Sequence, residues 1–276
     1  MADTAFQTRY RQEFISGFEQ RQSLVRNTVT TEADINGNAA VFLVADSGSA
    51  SAVTRGVNGL IPYRADNLTQ NTATLVEWHD GVRRTKFNLW ASQGDGRRIM
   101  QETTMGVLNR KVDADIIAAL ETGTQDTGPA QTATLGLVMY AKAILGNNAV
   151  PMDGNVSALI TPGFEAYLMQ VKEFASADYV SNKPFANSLT MFRWAGINFI
   201  VHPNLTGKGT NAEKCIVYHK SAIGHAIDSN TIDTAADYNS EHSYSWARAS
   251  AFMGSKLLQN TGVVIINHDG SAFAAQ

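Results

Sequence analysis

Residues 36–64 read NGNAAVFLVADSGSASAVTRGVNGLIPYR, and this stretch decides what kind of fold the chain can make. A compact apolar run over residues 39–45 gives way to Ser47, Gly48, Ser49, Ala50, Ser51, Gly56, Asn58, Gly59 and Pro62, which are small or turn-prone. Residues 72–90 then alternate, with Thr74, Val76 and Trp78 on one side of an extended strand and Leu75, Glu77 and His79 on the other. The two halves read as a long hairpin with a small-residue tip. A two-stranded hairpin is at best marginally stable alone in water, so another surface must cover it. In a monomeric enzyme such an arm is a liability; in an assembly it is a clasp.

Outward from the hairpin, SQGDGRRIM announces a helix: Gly94 and Gly96 break the strand and Asp95 is placed to cap. Met100, Thr104, Leu108, Val112, Ile116 and Leu120 recur every four residues up to a stop at Gly123, while Arg98, Glu102, Arg110, Asp113 and Glu121 fall mainly on other faces. About 25 residues at helical rise make a rod of roughly 37 Å, a natural spine. Upstream, Phe6, Tyr10, Phe14 and Phe18 predict an amphipathic helix over residues 5–26 whose aromatic stripe needs a partner surface, its own domain or a neighbour.

Beyond the turn-rich TGTQDTGPAQT the units shorten. A helix over 131–146, the strand VSALI, and TPGFEAYLMQVKEF with Thr161 as N-cap and Pro162 at the first helical position lead to the strands INFIVHP and KCIVYHK. Strands separated by helices suggest an α/β-like subdomain over roughly 130–235. From Tyr238 onward the pattern is strand-like, with Tyr244, Trp246, Arg248, Ser250 and Phe252 on one side, and GVVIINHDG reads as a strand returning to the α/β-like part.

Composition narrows the function. The chain has 276 residues, 44% hydrophobic and 17% charged, which is a folded protein with a sizeable core. A formal charge of −3 does not advertise nucleic-acid or anionic-membrane binding. Cys215 is the single cysteine, which excludes an intrachain disulfide, and its apolar setting predicts a buried structural thiol. No segment approaches the roughly 20 apolar residues of a membrane span, and no signal core opens the chain.

Chemical motifs are sparse. No HExxH or CxxC spacing occurs, and the six histidines are scattered, so no metal ligands are assigned. His202 and His268, at strand ends, read as hydrogen-bonded structural groups. GKGTNA, residues 207–212, lacks the third glycine of a dinucleotide loop and reads as a flexible loop. Glu77, His79 and Asp80 do not form a catalytic cluster by alternation, and Asp113 and Asp115 are expected to be solvated or paired with basic residues. No catalytic, cofactor-binding or metal residues are assigned. Arginines at 9, 11, 21, 26, 55 and 64 populate a stretch with no lysine before Lys86, a bias that suits interface ion pairs.

The strings NGNAAVFLVADSGSASAVTRGVNGLIPYR, TLVEWHDGVRRTKFNLWASQGDGRRIMQ, TMGVLNRKVDADIIAAL, FEAYLMQVKEFASADYV, RWAGINFIVHPNL, KCIVYHKSAIGHA and SYSWARASAFMGSKLLQNTGVVIINHDGS resemble, in order, a family of tailed-bacteriophage major capsid proteins. The resemblance implies an α+β fold of the Hong Kong 97-like type. Residues 1–38 would be the N-terminal arm and 39–92 the E-loop hairpin with its base. Residues 97–128 and 238–258 would form the P-domain, and 129–237 with 259–276 the A-domain. It further implies a structural, non-enzymatic protein of the virion, made in the host cytoplasm, whose hexamers and pentamers enclose double-stranded DNA in an icosahedral shell. Partners would be copies of itself, a separate scaffold protein, a portal and a cement protein, with weak DNA contact, no membrane and no cofactor. Family members that crosslink through an E-loop lysine differ from this chain, whose first lysine, Lys86, lies near the hairpin base. The rivals are an encapsulin-type nanocompartment shell, which shares the fold, and a cytosolic α/β enzyme.

Overall fold

The four-residue periodicity after the Gly94–Gly96 break produces the longest element. The computed structural model describes residues 22–33, 35, 37–47, 50–64, 67–86, 96–175, 191–228 and 233–273, and among them helix α1 spans Gly96–Leu120. Met100, Leu108, Val112, Ile116, Ile117 and Leu120 are buried, so tertiary packing of one stripe holds this helix. It ends as predicted: the Gly123 amide donates back to the Leu120 carbonyl at 3.0 Å.

The other helices are α2 (Leu135–Asn147), α3 (Pro162–Leu168) and α4 (Lys172–Ala175). Thr134 and Thr161 cap α2 and α3, each hydroxyl accepting from the amide three residues on, and Pro162 sits in the first turn of α3. The strands are β1 (Thr30–Glu32), β2 (Ala39–Asp46), β3 (Asn67–Thr74), β4 (Val76–Thr85), β5 (Val156–Ile160), β6 (Met191–Trp194), β7 (Ile197–Val201), β8 (Glu213–His219), β9 (Ile223–Ile227), β10 (Asp233–Asn239), β11 (Tyr244–Leu257) and β12 (Val263–His268).

The chain divides into two compact units: Met1–Ser23, Glu77–Val112 and Ser229–Phe252 in one, and Leu24–Val76, Asp113–Asp228 and Met253–Gln276 in the other. In the first, β4 and β10 both pair with β11, β10 antiparallel with Asp233 opposite Ser250 and Asn239 opposite Tyr244. Trp78, Met105, Leu108, Ala249 and Ala251 form its apolar cluster, and the Lys111 ammonium lies 3.7 Å from the centre of the Trp78 ring. Of the residues predicted to share one side of β11, Tyr244, Trp246, Arg248 and Phe252 retain exposure, whereas Ser250 is buried along with Ser245, Ala247, Ala249 and Ala251.

In the second unit a mixed sheet runs β12-β8-β5-β7-β6, with β5 parallel to β7 and the other neighbours antiparallel. Every residue of β5 is buried, which is why VSALI reads as an unbroken run and not as alternation. Helices α2 and α3 supply Leu137, Val138, Ala141, Leu145, Phe164 and Leu168 to the same core. As expected, GVVIINHDG returns here, as β12 beside β8. In the same unit β9 pairs with the last five residues of β11 and, in parallel, with β1.

Three expectations are corrected. Most of the helix predicted over 5–26 falls on residues 1–21, which lie outside the described residues, and its end is not α-helical: Arg26–Thr28 is a 3-10 turn, because the Leu24 and Val25 amides bond to a side chain, Asp113. The return strand of the hairpin is β3, so it begins before residue 72 and ends at Thr74, while Val76–Thr85 joins β11 instead. The strand predicted from Tyr238 is two strands, separated by a turn that places Ser243 at φ 52°.

Proline at Val112 removes a backbone donor from α1 and drives its ring into the preceding turn, at a cost of about 3 kcal/mol or more. Val112→Pro is expected to yield insoluble protein or a clear loss of helical circular dichroism. A soluble variant with an unchanged melting temperature would contradict a continuous α1.

Candidate assembly surface

Strands β2 and β3 form a sheet of their own, in register from Ala39 opposite Thr74 to Asp46 opposite Asn67. Side chains alternate across it. Ala40 and Ala73, a cross-strand pair, face inward and pack on Ala226 of β9, with Ile35, Phe42 and Leu75 around them. On the opposite face Val41, Leu43 and Leu68 are 51%, 71% and 66% exposed. Between the strands, residues 50–64 carry no regular structure; one turn closes there, with the Gly56 amide donating to Leu60 O and the Gly59 amide to Gly56 O. Val53, Val57, Leu60, Ile61 and Tyr63 are all exposed in this tip. So many large apolar groups on one thin ribbon mark a contact surface.

Buried polar groups hold the body that carries the ribbon. Of the two settings expected for Asp113, solvated or paired with basic residues, the first is excluded, since it is fully buried: its carboxylate accepts from the Leu24 and Val25 amides at 3.1 and 3.3 Å and faces His202 Nε2 at 3.4 Å. His202 Nδ1 accepts from the Asn204 amide, so Nε2 carries the proton and a neutral imidazole donates to Asp113. The Thr28 hydroxyl bonds the buried Tyr218 phenol nearby. One carboxylate of α1 thus joins the Thr28–Tyr218 bond and the β1–β9 pairing in fixing the entry of residues 22–33 into the fold.

Glu213 plays the same part elsewhere. Its carboxylate accepts from the Thr161 hydroxyl, the Gly209 amide and His268 Nδ1, each at 2.6 Å. It ties the cap of α3, the 207–212 loop and the end of β12 together, so that loop is braced, not flexible as expected. The remaining His268 nitrogen is buried without a hydrogen-bond partner, against the edges of Phe164 and Tyr167. His202 and His268 thus have the structural roles read for them.

Asp115, also expected to be solvated or paired with basic residues, accepts from the Ser255 hydroxyl at 2.6 Å, and Ser255 Oγ in turn accepts a hydrogen bond from His225 Nδ1 at 2.9 Å. Burial holds His225 down to about 4; Asp115 opposes that shift, Arg26 adds to it and Asp113 opposes it weakly. Cys215 is buried and its thiol pushed up to about 12 by desolvation, which makes it inert. Glu77 and His79 share a face, with His79 Nε2 3.0 Å from Glu77 Oε1 and His79 Nδ1 2.8 Å from the Ser250 hydroxyl, a short hydrogen-bonded chain whose His and Glu are about half exposed. Among the described residues no three His, Cys, Asp or Glu side chains converge as a metal site needs, and no helix is long and apolar enough to cross a membrane. The ribbon was legible in the sequence; the carboxylate posts were not, since no local pattern reports which distant amides an aspartate will meet.

A family model described as phage capsid protein matches residues 2–270. No curated protein matches the chain in sequence. Solved structures are similar across nearly the whole chain: the capsid of Cyanophage P-SCSP1u at 14% identity, covering 96% of this chain and 93% of that one with a TM-score of 0.71; a chain from Mycobacterium phage Che8 at 17%, covering 95% and 98% with 0.72; and the capsid of Ralstonia phage GP4 at 11%, covering 97% and 96% with 0.69. The α+β fold is thus the Hong Kong 97-like one expected.

His225 gives the fold a defined acid response. Unfolded histidine protonates near 6.5 while the folded group waits until about 4, so the unfolded state binds more protons between those values. Stability is complete above about pH 6.5, falls through the window, and levels off below about 4, with up to about 3 kcal/mol at stake. Chemical denaturation of the subunit at pH 7 and pH 4.5 measures it. His225→Gln is expected to flatten the difference; an unchanged slope would remove His225 as its source.

Proposed function

The chain belongs to the phage capsid protein family, structural proteins of the virion that work in a multimeric shell and not as enzymes, and on that premise we propose that it tiles an icosahedral phage head as hexamers and pentamers around double-stranded DNA. Residues 39–92 act as the E-loop and its base, 1–38 as the N-terminal arm, 97–128 with 238–258 as the P-domain, and 129–237 with 259–276 as the A-domain. A portal and a scaffold protein are the partners this reading carries, with synthesis in the host cytoplasm. The observation that supports it most is the outward apolar face of the ribbon: Val41, Leu43 and Leu68 are left exposed among the described residues, a face that a neighbouring copy would cover.

Each such side chain contributes about 1.5–3 kcal/mol when fully covered. That is modest per contact but large when every subunit clasps and is clasped. A net charge of −3 suits a wall that encloses DNA without adhering to it. An encapsulin-type shell or a cytosolic enzyme is not favoured by the family match.

Replacing residues 47–66 with a two-residue Asn-Gly turn keeps the β2–β3 pairing and removes the exposed tip. The shortened subunit is expected to fold with an unchanged circular dichroism spectrum and to form no closed particles in electron micrographs. Particles of normal size from this variant would show that the ribbon is not the clasp.

The shell is expected to be held without covalent links, since Cys215 is buried and no lysine precedes Lys86. Mature particles boiled in denaturing detergent with reductant should run as a single band near 29.8 kDa. A ladder of multimers would overturn this and direct attention to Lys86.

A further inference from the structure

We propose that Gly224 and Gly254 are the positioning residues of this assembly, two notches that set the angle at which the ribbon leaves its seat and thereby the curvature of the shell. The inference rests on the shell reading above. A Cβ placed on Gly254 would lie 2.1 Å from the carbonyl oxygen of Thr74, and one on Gly224 would lie 2.8 Å from two carbons of the Phe42 ring. Both glycines sit inside strands, β11 and β9, where glycine weakens pairing and gives nothing to pack. Neither has the positive φ that would demand glycine for its backbone. Close approach is the remaining reason for it, and both approaching groups belong to the ribbon.

The strand positions directly beneath the ribbon are small residues. Gly254 is the register partner of Ala226, Ala226 carries the Ala40–Ala73 pair, and Gly224 lies two residues before Ala226 on β9. Thr74 is the last residue of β3, and the Leu75 amide closes the ribbon on Asn38 O at 2.9 Å. The ribbon is thus held at its base by backbone on one side and an aromatic ring on the other. Fifteen residues from Phe42 to Val57 reach at most roughly 50 Å when extended, so a tilt of about 10° at the base moves the tip by roughly 8 Å. A displacement of that size takes an apolar side chain out of one pocket on a neighbour and into another, and the interface closes at a different angle.

The two notches differ in what can relieve them. An alanine at 224 meets the ring of a side chain, which a smaller residue at 42 would withdraw. An alanine at 254 meets backbone, which no side-chain change withdraws. The full chain is co-expressed with its scaffold protein as wild type, Gly224→Ala, Gly254→Ala, Gly224→Ala with Phe42→Leu, and Phe42→Ala. Particle diameter is read by electron microscopy and subunit folding by circular dichroism melting.

Wild type is expected to give closed shells of one diameter. Gly224→Ala and Gly254→Ala should give folded subunits that lose that diameter, forming open sheets or shells of another size. Adding Phe42→Leu should restore the wild-type diameter to Gly224→Ala, a rescue that a merely stabilising role would not produce. Shells of wild-type diameter from both glycine variants overturn the inference and leave the shell reading standing. A wild-type chain that forms no particles overturns both. If the glycine variants are insoluble, Phe42→Ala decides, because it empties the notch without adding an atom: a diameter distribution at least twice as broad as wild type supports the proposal, and an unchanged one overturns it.

Discussion

A two-stranded ribbon has two faces and only one body to lie on. Once Ala40 and Ala73 have used the inner face against Ala226, the outer face with Val41, Leu43 and Leu68 is left exposed among the described residues. Water penalises that arrangement in proportion to the apolar area left exposed. The remedy is a second copy, and this requirement organises the rest of the molecule. The base must be seated firmly enough that the exposed face is presented at one angle. The parts behind it must not deform when the face is taken up.

The body meets that requirement with buried polar posts in place of added apolar bulk. Asp113 and Glu213 are carboxylates taken out of water and given backbone amides, a hydroxyl and imidazoles in return. Such networks contribute little net stability when complete, and removing one member leaves a buried charge short of donors. Their value lies in specificity: a carboxylate that needs the amides of residues 24 and 25 in place admits one path for that segment, where an apolar contact would tolerate several.

Much of this was readable from the chain. The strand VSALI, the caps Thr134 and Thr161, the long helix to Leu120 and the apolar-then-small sequence of the ribbon all declare themselves through local periodicity and turn chemistry. What local pattern does not report is partnership at a distance. Thr74, Val76 and Trp78 look like one strand, but the chain breaks at Leu75 because Thr74 must lie over Gly254, some 180 positions later in sequence. Asp113 looks like a helix position that is solvated or paired with a basic residue, and only the return of residues 24 and 25 shows which backbone amides it meets. In each case the deciding atom is a backbone group from elsewhere, which carries no sequence signature.

The division between a polar-braced body and an apolar, barely structured tip also accounts for how a shell can correct its errors. Contacts made by single exposed side chains are weak enough to break individually, so a subunit docked at the wrong angle leaves before its neighbours lock it in. That selection works only if the right angle is distinguishable from the wrong one. A ribbon pivoting freely at its base would accept both. The small-residue seat at Gly224, Ala226 and Gly254 lets Phe42 and Thr74 approach so closely that no Cβ would fit between, which leaves the base little room to pivot, since repulsion on closer approach rises far more steeply than apolar attraction falls. Weak attraction at the tip and stiff repulsion at the base are therefore complementary: one makes assembly reversible, and the other makes it accurate.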